Sequence, residues 1–234
     1  MNIYKAGLII EPGTSILFES DRVLRIDNSG YIEANGTESE YITFSSSTKI
    51  AGAWDGIEIL NKDVRNKLQA CIVEYAGEAS SSDPKTKCAI LVGSPVDGKV
   101  SIDQCIIRHS SNIGIYVNGN SDLRSFSNNT ISNTSKASMS AQIKHVTAVE
   151  SNNQFVDSEE FDGVRLRSSH IDNDENITID GIKVLFLSDS NIRGPLTISS
   201  GSELVMTSDI QVVVKGGSSN IGRITANGTA ANPI

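Results

Sequence analysis

The sequence predicts an all-β fold: a single-stranded, right-handed parallel β-helix, with three short strands in each coil of about 24 residues. Three observations predict it. Short apolar triplets recur every eight residues, longer segments recur at coil length, and no stretch carries an i, i+3, i+4, i+7 apolar face over three turns.

The triplets come first. Leu8-Ile9-Ile10, Ile16-Leu17-Phe18, Leu24-Arg25-Ile26 and Ile32-Glu33-Ala34 begin eight residues apart, and Ile42-Thr43-Phe44 and Ile57-Glu58-Ile59 follow at longer gaps. Apolar residues at i and i+2 are the alternation of a strand with one buried face. Glu11-Pro12-Gly13-Thr14, Asn28-Ser29-Gly30 and Asn35-Gly36-Thr37 lie between them. These are turn residues: Gly and Asn tolerate positive φ, and Pro presets its own.

The coil period appears further on. Leu68-x-x-Cys71-x-Val73-x-Tyr75 returns as Ile102-x-x-Cys105-x-Ile107-x-His109, then as Phe126-x-x-Asn129-x-Ile131-x-Asn133, with its tail at Asn153-x-Phe155-x-Asp157. A second series reads Gly56-Ile57-Glu58-Ile59, Ala89-Ile90-Leu91-Val92, Gly114-Ile115-Tyr116-Val117, Ser140-Ala141-Gln142-Ile143 and Gly163-Val164-Arg165-Leu166. One coil cannot bury its own apolar face, but coils stacked at ~4.8 Å can, and like residues then stack on like. Cys71 is therefore expected beside Cys105 on an interior column, with Asn129 and Asn153 beyond them as an amide ladder.

A longer repeat lies above this one. Residues 196–214 align with 8–26, and Gly222 to Thr229 match Gly30 to Thr37. The expectation is one domain over 1–234, with a second copy of the N-terminal repeat beginning near 194. The second copy breaks off at Asn232-Pro233-Ile234, so the native protein is expected to continue, and an open end of this kind is a template for end-to-end association.

Composition narrows the function classes. Hydrophobic residues make up 38% of 234 and aromatics 5%, an aliphatic core. With 20 Lys and Arg against 28 Asp and Glu, the net charge of −8 does not suit nucleic acid, whose phosphates need a basic surplus. No apolar run reaches the ~18 residues of a membrane span. Met1-Asn2-Ile3-Tyr4-Lys5 opens no signal peptide. The chain is therefore expected to be either cytosolic or trimmed of an upstream signal, and trimming is preferred because its far end also stops in mid-repeat. Cys71, Cys88 and Cys105 have no CxxC-like spacing and read as buried free thiols.

Leu8 to Thr14, Gly30-Tyr31-Ile32-Glu33-Ala34-Asn35-Gly36-Thr37, Ile42-Thr43-Phe44-Ser45 and Gly52-Ala53-Trp54-Asp55-Gly56-Ile57 resemble large bacterial surface proteins with pectin-lyase-like parallel β-helix repeats. Cys105 to Val117 is similar to the generic repeat of that superfamily. The resemblance implies an extracellular or cell-surface location. It supplies no reaction, since its motifs are strands and turns.

The chemistry carried by single residues is sparse. Polygalacturonase-like hydrolases use clustered Asp with Gly-His-Gly, and neither pattern occurs around His109, His145 or His170. Asp162, Arg165 and Arg167 come nearest to a lyase-like set but read as solvated charges. Asp172-Asn173-Asp174-Glu175-Asn176 starts like a Ca²⁺ loop, yet Ile177 and Lys183 stand where Gly and Glu are needed, so an acidic turn is expected, with at most a weak Ca²⁺ site at Asp172 and Asp174. Trp54 is expected to pack. The outward positions of the second series read Glu58, Leu91, Tyr116, Gln142 and Arg165. Tyr116 projects outward because Ile115 and Val117 point in, and a Tyr ring can stack on a sugar. The expected function is a non-catalytic extracellular or cell-surface module (scaffold, adhesin segment or glycan binder) with ligand-binding candidates Tyr116, Arg165, Gln142 and Glu58 and no cofactor. The alternative is a carbohydrate-active enzyme acting on an acidic polysaccharide.

Overall fold

The computed structural model describes residues 1–78, 87–168, 170–172, 175–215 and 222–227. Every strand pairing within its sheets is parallel, and the chain visits three faces in turn. Among the described residues the largest sheet has nine strands: Asn2–Tyr4, Val23–Asp27, Gly56–Leu60, Cys88–Val92, Ile113–Val117, Ala137–Gln142, Phe161–Ser168, Lys183–Phe186 and Glu203–Met206. A five-stranded sheet runs from Gly7–Ile10 to Asp122–Ser127, and a six-stranded sheet from Ser15–Phe18 to Gln154–Val156. The architecture is the expected right-handed β-helix, the hand that parallel crossovers take.

Burial follows the alternation read from the sequence. Leu24 and Ile26, Ile57 and Ile59, Ile90 and Val92, and Ile115 and Val117 point inward and are buried, stacked coil on coil. Trp54 is fully buried, its ring stacked on Phe18 at 4.2 Å with its Nε1–H donating to the Glu74 carbonyl at 2.9 Å. It packs, as expected.

The corners explain the residues that recur with the coil. Tyr75, His109, Asn133 and Asp157 all have left-handed φ, between 52° and 61°, where the six-stranded sheet turns into the nine-stranded one. For a non-glycine residue this conformation costs ~1 kcal/mol or more. Stacking recovers part of it, since the Tyr75 and His109 rings lie 5.1 Å apart and 11° from parallel. Ala70, Gln104 and Asn128 form the matching left-handed column at the other end of this sheet.

Cys71 and Cys105 are buried free thiols at matched positions on adjacent coils. The next two residues of the column are Asn129 and Asn153, also buried. The neighbouring Cys105 thiol and burial hold the Cys71 thiol well above the usual thiol range, and burial does the same for Cys88.

Two departures matter. After Gln142 the chain forms a 3-10 helix, Ile143–Ala148, in place of a strand of the five-stranded sheet. Beyond it, a three-stranded sheet of Ile177–Ile179, Pro195–Ser199 and Arg223–Asn227 and a two-stranded sheet of Ser190–Ile192 and Val212–Val214 take over two of the faces. The segment expected as a second copy of the N-terminal repeat carries the strands Pro195–Ser199, Glu203–Met206, Val212–Val214 and Arg223–Asn227. It stands one face further round: Glu203–Met206 joins the nine-stranded sheet, whereas its counterpart Ser15–Phe18 belongs to the six-stranded one. A repeat built of local strand-and-turn units fixes spacing along the chain. Which face a strand joins depends on how many strands precede it.

Candidate functional site

The outward column of the nine-stranded sheet is set by its register. Arg25 pairs with Glu58, Glu58 with Leu91, Leu91 with Tyr116, Tyr116 with Ser140, Ser140 with Arg165 and Arg165 with Leu185. The column expected from the sequence had Gln142 between Tyr116 and Arg165, and this is corrected: Ser140 stands there. Met139 and Ala141 are the inward residues of Ala137–Gln142, and Gln142 pairs with Ser168 past a register shift. The apolar Ile143 that suggested a continuing strand belongs to the 3-10 helix.

Ser140 shapes the site. Its small side chain leaves a notch between Tyr116 and Arg165, which lie two coils, ~10 Å, apart. Arg167 folds back across it. Its guanidinium sits 3.9 Å from the centre of the Tyr116 ring, and Nη2 donates to the Val117 carbonyl at 2.8 Å. A cation over an aromatic face is favourable by ~1–2 kcal/mol where solvent is partly excluded. Tyr116 is only 3% exposed, packed with Leu60, Cys88, Leu91 and Ile113 and with Arg167 over its ring, which corrects the expectation of an open stacking platform.

Tyr116, Arg165, Arg167 and Leu187 line a cleft of ≈ 490 Å³. Leu187 is exposed at its rim. Arg165 Nη1 donates to Glu160 at 3.1 Å, and Glu160 is shared with Lys136. Two buried polar atoms of this column, Arg165 Nε and Ser140 Oγ, hydrogen-bond to nothing among the described residues. Unsatisfied buried donors of this kind call for an acceptor. The cleft thus offers guanidinium donors and an apolar rim.

Glu58 lies elsewhere. Arg25, Asp27, Glu58, Leu60, Leu91, Ser94 and Pro95 line a separate cleft of ≈ 500 Å³. Glu58 is buried and accepts from Arg25 Nε at 2.6 Å. Nearby Asp55 is also buried, and its carboxyl is pushed up to about 6 by burial and by the charges of Asp21, Glu58 and Glu78, with Arg25 opposing. Asp162, the carboxylate of the lyase-like set, accepts from the Ser158 backbone N–H at 2.7 Å, and the carboxylate paired to Arg165 is Glu160.

A third cleft of ≈ 410 Å³ was not visible in the sequence. Lys62, Lys99 and Lys144 converge on it with Asn120, Asp122 and the buried His145. Burial, then the charge of Lys144, lowers His145 to about 4. Its neutral ring accepts at Nδ1 from the Gln142 N–H (3.3 Å) and donates from Nε2 to the Ser121 carbonyl (3.0 Å). The three lysines stand far apart in sequence and share no motif, so only the stacking of coils brings them together.

Asp172 lies in an acidic turn, its N–H bonded to Glu175 at 3.0 Å, beside a small cleft with His170, Asn191 and Arg193. Asp174 lies outside the described residues. Among the described residues no three His, Cys, Asp or Glu side chains are grouped to hold a metal ion, and no helix is long and apolar enough to cross a membrane. No protein-family model, curated protein or solved structure matches the chain.

Proposed function

We propose that this β-helix is an extracellular or cell-surface module that holds an extended glycan against the outward face of its nine-stranded sheet, at Tyr116, Arg165, Arg167 and Leu187. The observation that carries the reading is the pair of unsatisfied buried atoms, Arg165 Nε and Ser140 Oγ, in the column that forms this cleft. Sugars supply acceptors in quantity, and the ~4.8 Å strand repeat suits a polymer lying along the stack. Leu187 supplies apolar contact at the rim, and the guanidinium of Arg165 suits a carboxylate or sulfate. The surface location follows from the resemblance of the N-terminal turns and strands to bacterial surface β-helix repeats. The test is a glycan array probed with the wild type, Arg165→Ala and Leu187→Ala. Binding weakened by both substitutions supports the site, and binding untouched by both removes it.

A second reading, a carbohydrate-active enzyme acting on an acidic polysaccharide, draws on the other cleft. Glu58 is ion-paired to Arg25 there, while the carboxyl of Asp55, three residues earlier, is raised to about 6 by burial and neighbouring charges. A carboxyl raised in this way is what a general acid needs. Release of reducing ends or unsaturated products from polygalacturonate, lost in Glu58→Gln, would replace the first reading by this one.

A further inference from the structure

The geometry points to a second anion-binding subsite in the cleft of Lys62, Lys99 and Lys144, joined to the Arg165 cleft across the turn of residues 118–121, so that the ligand is a glycan bearing acid groups on successive units. This inference rests on the glycan-binding reading above and adds the charge and the path of the ligand.

Two neighbouring asparagines tie the clefts together. Asn118 Oδ1 accepts from Arg167 Nη1 at 3.5 Å, and Asn120 Oδ1 accepts from Lys144 Nζ at 2.6 Å. Gly119 stands between them at φ 56° and makes the bend. Two residues of chain span at most ~7 Å, so one ligand a few units long can touch both rims.

The charge is concentrated against the trend of the molecule. The chain carries −8 overall. Lys62, Lys99 and Lys144 converge on the cleft beside this turn. The carboxylates paired with them are Asp97 on Lys62 (2.9 Å) and Asp122 on Lys99 (2.9 Å). Three against two leaves the cleft positive. The Lys144 ammonium is the exposed charge best placed for a ligand, since its hydrogen bond goes to a neutral amide. His145, on the same cleft wall, adds no charge because both ring nitrogens are engaged by backbone groups. A cleft lined by one sign of charge attracts polyanions even on a protein of the same net sign as the ligand.

The experiment is isothermal titration of the whole chain with three probes of matched length: oligogalacturonate, sulfated dextran oligosaccharide and neutral dextran oligosaccharide. The proteins are the wild type, Lys62→Ala/Lys144→Ala and Arg165→Ala, each checked for unchanged β circular dichroism. We expect the acidic probes to bind and the neutral one to bind at least tenfold more weakly. The lysine double variant should lose about tenfold for acidic oligomers, from roughly threefold to fivefold per exposed charge, and nothing for a galacturonate monomer. Its affinity should also depend less steeply on salt. Acidic oligomers that bind the double variant as tightly as the wild type, while Arg165→Ala releases them, would overturn the second subsite and leave the Arg165 cleft standing. Equal affinity for the neutral probe would overturn the acidic character of the ligand. If none of the probes binds the wild type, the glycan reading itself is lost, and the subsite with it.

Discussion

Asn153 holds Asn129 from the next coil: its Oδ1 accepts from both the backbone N–H (2.9 Å) and the side-chain Nδ2 (3.0 Å) of Asn129. Asn129 repeats the move one coil earlier, accepting from the Cys105 N–H at 2.9 Å and donating to the Ile102 carbonyl at 2.9 Å. The ladder satisfies corner backbone groups that the left-handed residues Gln104 and Asn128 turn out of the strand pairing. Asn129→Ala is expected to cost about 2–4 kcal/mol in urea unfolding, because it orphans a buried donor and acceptor together. Asn129→Ala/Asn153→Ala should cost clearly less than the sum of the single changes, since both remove one network. Strict additivity would mean that the two amides do not act together.

The same column ends in thiols, which act as small apolar residues. Cys71 Sγ and Cys105 Sγ donate only weakly, to the Gln69 and Leu68 carbonyls, both at 3.4 Å. Cys105→Ala should cost about 1–2 kcal/mol, less than Asn129→Ala although the site is as buried. In the native protein, reaction of Cys71, Cys88 and Cys105 with a thiol reagent at pH 8 should wait on unfolding, because all three are buried out of reach. Prompt labelling of any of the three would contradict the packing.

Arg25 and Glu58 form a pair in which the carboxylate is the buried partner, its side chain 4% exposed against 32% for Arg25. Arg25→Met is expected to destabilise by about 2–4 kcal/mol, since it leaves Glu58 buried without its nearest cation. Arg25→Met/Glu58→Leu should recover most of that loss, an apolar pair being a good replacement for a buried ion pair. Denaturant midpoints of the three proteins decide it, and a double variant no more stable than the single one would show that the cleft needs the charge.

The coil was legible in the sequence because its two periods are physical ones. Alternation of two fixes which face of Leu24-Arg25-Ile26 is buried, and the corner requirement for left-handed backbone brings Tyr75, His109, Asn133 and Asp157 back at matched positions. The site was legible only in part. That Tyr116 points outward follows from Ile115 and Val117, but its burial depends on Leu60, Cys88, Leu91 and Ile113 packed with it and on Arg167, 51 residues later, over its ring. The register at Ala137–Gln142 was misread because its inward residues include a single large apolar side chain, Met139, while Ile143 just beyond mimics the missing one. Lys62, Lys99 and Lys144 carry no local signal, for a cluster made by stacking has no spacing of its own.

Two buried titrating groups should shape stability against pH in opposite senses. His145 falls from about 6.5 unfolded to about 4 folded, so between these values the unfolded chain binds more protons and acidification destabilises. Asp55 rises from about 4 unfolded to about 6 folded, so over nearly the same window the folded chain binds more protons and acidification stabilises. The wild type is therefore expected to change little through these two groups between pH 6 and pH 4. Asp55→Asn removes one arm. Relative to the wild type it should gain about 1–2 kcal/mol at pH 7 and little at pH 4, with a melting temperature that falls steadily on acidification. His145→Gln leaves the other arm, and its profile should rise toward pH 4 through the Asp55 window. Calorimetric melting of the three proteins at pH 4, 5, 6 and 7 separates the arms. An Asp55→Asn profile parallel to that of the wild type would mean that Asp55 ionises in the folded protein as it does in the unfolded chain, and that the charges of Asp21, Glu58 and Glu78 are screened from it by solvent.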